Sequence, residues 1–306
     1  MKAKLFLLGL LVSTMTMVGQ TSNTTDATTS KRGWNFYVGG SYFGSVVATE
    51  FPTVNGNAAL SKVYVGGKLV SEESVTGSFG EGFRYGGGAG YRFSDRFGVQ
   101  MSVNYYTSKS KTMAQTSTDQ VFVDSSNKVI YNFKSEGQIR ALDLVPAVIF
   151  YLGEVKGFES YSKVGLIVPV SGYLEIKTNA VSPTSGAKVY SVDKVNPNPT
   201  VGFLAALGTA YKIGGNFSIY GEVEYRNFTV HGKDKETTEF SVNGTDQLAT
   251  RTVSQTQTNY VDQLTTTSNN ALTNPNGVDS SKPTDDLSSY VGISGLGLTF
   301  GVKYSL

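Results

Sequence analysis

The chain has 306 residues, with 26 Lys and Arg against 24 Asp and Glu, a single His and no Cys. The missing cysteine excludes a disulfide framework, a thiolate metal site and a lipid-anchored N-terminal cysteine. Near-balanced charge excludes a bulk attraction to nucleic acid, and the length accommodates one large β domain as readily as two domains.

Residues 1–19 set Lys2 and Lys4 ahead of an apolar run from Leu5 to Val12 and end in Gly19 before Gln20. This is the layout of a cleaved secretory signal, and the run is too short for a membrane anchor. Its removal leaves a neutral mature chain. Residues 20–32, rich in Thr, Ser and Asn, read as a disordered lead-in.

From Trp34 the pattern changes to a period of two, the mark of a pleated strand with unlike faces. In the first strand Trp34, Phe36, Val38, Gly40 and Tyr42 share one face, and a long polar connection follows to about Glu81. Within it Val63-Tyr64-Val65 and Lys68-Leu69-Val70 flank Gly66-Gly67 and predict a hairpin. The second and third strands, Gly82 to Thr107, are the clearest. Phe83, Tyr85, Tyr91 and Phe93, then Phe97, Val99, Met101, Val103 and Tyr105, lie on one face. Arg84, Gly86, Gly88, Gly90 and Arg92 lie on the other, and Ser94-Asp95-Arg96 makes a short turn between the two strands. Each arm runs to about ten residues, the length a tilted strand needs to cross a bilayer.

A second long connection, about 110 to 136, contains Val121-Phe122-Val123 and Val129-Ile130-Tyr131 as another hairpin. The fourth strand, 138–152, puts Leu142, Leu144, Val148 and Phe150 outward and Asp143 inward, with Pro146 marking a bulge or a local loss of pairing. The fifth, about 158 to 174, points Val164, Leu166, Val168 and Val170 out and Lys163, Gly165 and Ser171 in. A Pro/Asn/Ser-rich connection runs to about Pro199. The sixth strand points Val201, Phe203, Ala205, Leu207 and Tyr211 outward, and Gly214-Gly215-Asn216 turns the chain. The seventh points Phe217, Ile219, Val223 and Tyr225 out and Tyr220, Glu222, Glu224 and Arg226 in. After the longest polar segment, about 232 to 288, the last strand sets Leu296, Leu298, Phe300, Val302, Tyr304 and Leu306 against Gly297, Thr299, Gly301 and Lys303.

Connections alternate long and short, as they do in an even-stranded barrel with short turns on one rim and long loops on the other. The fold class expected is therefore all-β: a transmembrane up-and-down antiparallel barrel of about eight strands over 33–306. Trp34, Tyr85, Tyr91, Phe93, Phe97, Tyr105, Tyr211, Phe217 and Tyr225 would form its aromatic girdles. Arg84, Arg92, Asp143, Lys163, Glu222, Glu224, Arg226 and Lys303 would form a charge network inside. An eight-stranded barrel is about filled by its own side chains, so these charges should pair rather than line a channel.

The segment YGGGAGYRFSDRFGVQMSVNYY (Tyr85–Tyr106) joins a glycine-rich strand, Tyr-x-Phe, a short Asp-containing turn and a returning strand. With the ending LGLTFGVKYSL, it resembles the small outer-membrane β-barrels of Gram-negative bacteria, the OmpA/OmpX-like family. The resemblance implies residence in the bacterial outer membrane, contact with its lipid and lipopolysaccharide, and insertion by the barrel-assembly machinery. It also implies a C-terminal insertion signal at Phe300, Val302, Tyr304 and Leu306, although many members end in Phe where this chain ends in Leu. That family includes adhesins, small channels and lipid-modifying enzymes; no catalytic residue carries over, and no cofactor is implied.

His231 falls at the outer end of the seventh strand, where an outer-leaflet lipid enzyme would need a general base, yet no partner at a compelling spacing accompanies it. No Cys and no second His support a metal there. Gly86 to Gly90 lacks GxGxxG spacing and a following helix, so it reads as room-making glycine in a tight barrel and not as a phosphate loop. The leading expectation is a non-enzymatic surface or structural protein whose loops reach a ligand or host surface. A small channel is the alternative, and the lipid enzyme the third reading.

Overall fold

The computed structural model describes residues 32–124, 127–198 and 200–306. The signal segment at 1–19 and the lead-in as far as residue 31 lie outside them. In chain order the principal strands are β1 (Gly33–Ser45), β2 (Leu60–Val65), β3 (Lys68–Ser74), β4 (Gly82–Arg92), β5 (Phe97–Ser108), β6 (Lys111–Thr118), β7 (Asn132–Val155) and β8 (Phe158–Val181). They continue as β9 (Lys188–Pro197), β10 (Gly202–Gly214), β11 (Phe217–Asn227), β12 (Thr229–Val242), β13 (Gln257–Val261), β14 (Thr284–Leu287), β15 (Tyr290–Gly292) and β16 (Gly295–Ser305). Among the described residues no helix is long and apolar enough to cross a membrane.

Eight strands, β1, β4, β5, β7, β8, β10, β11 and β16, close into an antiparallel barrel in which each pairs with the next and β16 returns to β1. Following cross-strand partners once around, Trp34 leads through Tyr91, Val99, Val148, Val164, Ala205, Tyr225 and Leu296 to Gly44. One circuit thus climbs ten residues of β1, from position 34 to position 44. Such a stagger tilts the strands by about 40°. Both ends of the barrel sheet, β1 and β16, start and finish on the rim of the short turns, where Asn35 lies opposite Ser305.

Period-two alternation becomes an apolar outside and a polar inside. Trp34 is 53% exposed and Phe300 65%, whereas Glu224 is 0% exposed. The glycine-rich face of β4 makes room, as expected: a Cβ on Gly88 would sit 2.5 Å from the Tyr37 hydroxyl.

Beyond the barrel the strands continue into a second, open sheet. β7 and β8 are 24 residues each, about twice what a bilayer requires. Their outer halves, from residue 132 and as far as 181, fall partly in what the sequence reads as loop, as do β6, β9 and β12. β6 lies between β7 and β2, β9 lies between β8 and β12, and β12 in turn pairs with β13 and β15. Both predicted hairpins are present: β2 with β3 across Gly66-Gly67, and 122–123 with 129–130. At Gly66 and Gly67 φ is +58° and +75°, the left-handed pair of a tight hairpin turn.

The fourth and fifth strands decide between the two alternatives at Pro146 and correct the facing of Ser171. Register shifts fall at Leu142/Asp143, where Val170 is the extra residue, and at Tyr151/Gly153, so Pro146 carries no bulge. Around Pro146 the ladder to β8 shows the local loss of pairing that is one of the two alternatives there, since Leu144 faces Val168 and Ala147 faces Gly165 in unchanged register with the residues between them unpaired in that ladder. The bulge also reverses the expected facing of Ser171: it stands opposite outward-facing Leu142 and is exposed.

Candidate functional site

The eight charges expected inside the barrel form three buried pairs and a lower cluster. Arg84 from β4 makes a two-point contact with Glu224 of β11, its Nη1 to Oε1 and its Nη2 2.7 Å from Oε2, and Nη2 also donates to Ser41 Oγ at 3.0 Å. Lys163 Nζ donates to Glu222 Oε2 at 2.6 Å, and the Tyr161 hydroxyl to Oε1 at 2.8 Å. Arg226 Nη2 lies 3.3 Å from Asp143 Oδ2, and the guanidinium packs over the rings of Tyr106 and Phe43 at 4.7 and 5.3 Å. Its Nε and Nη1 are buried without a hydrogen bond. Toward the short-turn rim, Arg92 and Lys303 share Glu159, at 2.6 and 3.7 Å. Sequence reasoning missed Glu159, although it alternates with the inward Tyr161 and Lys163. Three positive and three negative groups at mid-height cancel, so the lumen is filled and locally neutral.

The aromatic residues predicted for the girdles point outward at two levels. Trp34 and Tyr91 meet at 5.2 Å, Phe97 and Phe150 at 5.2 Å, and Phe158 and Tyr211 at 4.6 Å. Phe93 stacks on Phe97, and Phe217 meets Tyr304 at 4.9 Å. Higher up Tyr85 meets Tyr105 at 5.3 Å, with Tyr225 further around the same level. Val302 and Leu306 of the C-terminal stripe also face out, beside Phe300 and Tyr304.

Above the charges lies an apolar chamber. Phe43, Phe79, Tyr106, Met113, Ile139, Leu174, Phe228, Val291 and Ile293 pack together inside the outer barrel. Phe51, Val54 and Ala59 cover it from the cell-exterior side. The covering turn is clamped at its tip. Asn55 Nδ2 donates to buried Asp193 at 3.0 Å, and Lys235 Nζ to Asn55 Oδ1 at 2.8 Å. Lys128 Nζ donates to the Gly56 carbonyl and to Asn57 Oδ1 at 3.1 and 2.9 Å.

One part of the barrel wall is open. The β8–β10 ladder ends at Ile167 opposite Gly202, and the β8–β9 ladder starts only at Leu174 opposite Val195. Between them Val168 to Tyr173 have no strand partner on that side among the described residues. Pro169 within the break and Pro197 at the end of β9 bring no N–H with which to close it, while the Val170 bulge bends β8 there. A cavity of about 280 Å³ passes through this break. It is lined on the inside by Ile139, Leu174, Phe228, Val291 and Ile293 of the chamber, and on the outside by Arg140, Val170 and Tyr173. Gly202, the last partner in the β8–β10 ladder, makes room for the cavity-lining Phe228, since a Cβ there would lie 2.6 Å from that ring.

His231 lines the same cavity. Its Nδ1 is 3.2 Å from Ser288 Oγ, a partner 57 positions away that spacing in the sequence does not reveal. The Ser288 hydroxyl donates to the Gly232 carbonyl at 3.0 Å, and Asn198 sits beside the ring at 3.3 Å. Among the described residues no cluster of three or more His, Cys, Asp or Glu is arranged to hold a metal ion.

The sequence model of the outer membrane protein β-barrel domain family matches residues 10–245. No curated protein matches the chain at a significant level. Among solved structures, the outer membrane protein OprG from Pseudomonas aeruginosa is similar at 11% identity and a TM-score of 0.37, over 90% of this chain and 97% of that one. AlkL in DMPC lipid bilayers is similar at 10% identity and a TM-score of 0.35, over 94% and 96%. The E. coli outer membrane protein W is similar at 10% identity and a TM-score of 0.32, over 91% and 100%.

Proposed function

The chain belongs to the outer membrane protein β-barrel domain family, and from that footing in the bacterial outer membrane we propose that it binds a small apolar molecule in the break of its wall and passes it sideways between the chamber and the outer leaflet. The break carries this reading. An apolar cavity joining the interior of a barrel to its lipid-facing side has no structural need, and the exposed backbone of Val168 to Tyr173 forgoes ladder hydrogen bonds to leave it open. The filled mid-lumen supports a lateral route over a vertical one, because a solute cannot continue past Arg84–Glu224 and Lys163–Glu222 without separating buried ion pairs.

The protein acts on this reading without catalysis. His231 has a hydroxyl neighbour, but the Ser288 proton is engaged by the Gly232 carbonyl, and no carboxylate orients the ring among the contacts described for it. A second reading, a surface protein that recruits a partner through its loops, is favoured by β3. All seven of its residues are exposed, and it pairs with β2 on one side only.

Photolabelling separates the two. Octanol carrying a diazirine, activated with the protein in phosphocholine nanodiscs, is expected to label Phe228, Val291 and Ile293 in addition to lipid-facing residues. Label restricted to the outward face would overturn the wall site and leave the loop reading.

A further inference from the structure

Resting on that wall site, we propose that its ligand is a single-chain amphiphile with an acidic head, held by Arg140 and Lys194 at the outer edge of the break. Arg140 on β7 lines the cavity on its outward side, and cross-strand partner Tyr173 lines it too. Lys194 on β9 reaches over the Tyr173 ring, with Nζ 5.3 Å from its centre. Neither cation has a carboxylate within ion-pair distance among the described residues; the nearby Glu175 is taken by Lys177 at 3.2 Å. Inside the lumen, by contrast, Arg84, Arg92, Lys163 and Arg226 all reach a carboxylate. Arg140 on the lining of the apolar cavity, and Lys194 over the ring of its cross-strand partner Tyr173, form an amphipathic site with that cavity, with an anion complement at one end and a hydrocarbon complement at the other.

The height of the cluster suits such a head. Arg140 is in register with Thr107 of β5, Phe83 of β4 and Tyr42 of β1. Because the circuit climbs as it passes from β1 to β7, Arg140 stands above the upper aromatic level by about three residues, or roughly 8 Å. The cations therefore sit at headgroup depth, while Leu174, Phe228 and Ile293 lie inward of them within the barrel. At about 280 Å³ the cavity offers room for one short chain and not for the several chains of a membrane glycolipid.

The test uses displacement of the photoreactive octanol from the inward residues at pH 9, where a bilayer-bound fatty carboxylate is ionised. Octanoate is expected to compete about tenfold better than octanol, and octylamine less well than octanol. Arg140→Gln with Lys194→Gln should abolish the octanoate advantage while octanol competes as before. Both residues lie on the outer surface, and unchanged gel mobility of the folded barrel checks that the variant is intact. Equal competition by octanoate and octanol, or an advantage that survives in the double variant, overturns the proposal while the wall site stands. Absence of inward label from the outset overturns both. Repetition in nanodiscs containing lipid A identifies the source of the anion: an octanoate advantage that persists supports a free acid, and one that vanishes assigns the cations to lipid phosphate and overturns it.

Discussion

Arg84 and Glu224 come from positions 140 apart and meet with both partners buried. An ion pair out of water gains little net stability, because desolvation offsets attraction, but losing one member leaves a bare charge. Arg84→Met is therefore expected to destabilise the barrel by about 3–5 kcal/mol, and Arg84→Met with Glu224→Leu to recover most of that loss. Urea unfolding in detergent, followed by the fluorescence of Trp34, measures both. A double variant as unstable as the single one would show that the pair is needed for more than mutual neutralisation. That both residues face inward is legible from the period of two alone. Which of the inward charges pair is not, because partnership depends on the ten-residue stagger around the barrel, and no local pattern encodes that stagger. Arg140 illustrates the complementary limit: it shares the outward phase of Leu142 and Leu144, and only the gap between the β8–β10 and β8–β9 ladders gives that charge a setting.

At the scale of strands, alternation was readable wherever lipid enforced it. The spanning parts of β4, β5, β11 and β16 match their expected faces closely. It failed where the same strands leave the bilayer, since the outer halves of β7 and β8 have water or other strands beyond them and lose the apolar outward face that marks a strand in sequence. Polar composition there reads as loop. The bulge is another feature that composition hides: Val170 is one more valine in an apolar run, and only the partner strand reveals it as extra. Its removal gives a sharp test of the wall break. Deleting Val170 leaves Lys163, Gly165 and Ile167 inward and keeps Ser171 outward and Leu174 inward, because the bulge itself supplies the change of phase. The deletion variant is thus expected to fold, with ordinary heat-dependent gel mobility. With the local bend of β8 lost, inward labelling by the photoreactive octanol should fall by about tenfold. Undiminished labelling would separate the bulge from the opening.

For the molecule as a whole, the chamber is closed at both vertical ends by different means. Below, three charge pairs and the Arg92–Glu159–Lys303 cluster fill an interior that eight strands leave barely wide enough for side chains. Above, the turn around Val54 inserts apolar side chains into the chamber, and Asn55, Gly56 and Asn57 are clamped by Asp193 of β9, Lys235 of β12 and Lys128. The upper closure is a segment of one loop held by a few polar contacts, whereas the lower one is distributed over most strands of the barrel. Their removal should therefore have unequal effects in planar bilayers. The intact protein is expected to give no steady conductance. Deletion of residues 52–58 should expose the chamber to the exterior yet remain silent, since the charge layers still block the axis. Adding Arg84→Ala, Lys163→Ala, Glu222→Ala and Glu224→Ala to that deletion clears the middle of the lumen while conserving its net charge, and should produce small, stable conductance steps. Current through the deletion variant alone would mean that ions pass the paired charges, and the case for a sideways route would lose the barrier on which it depends.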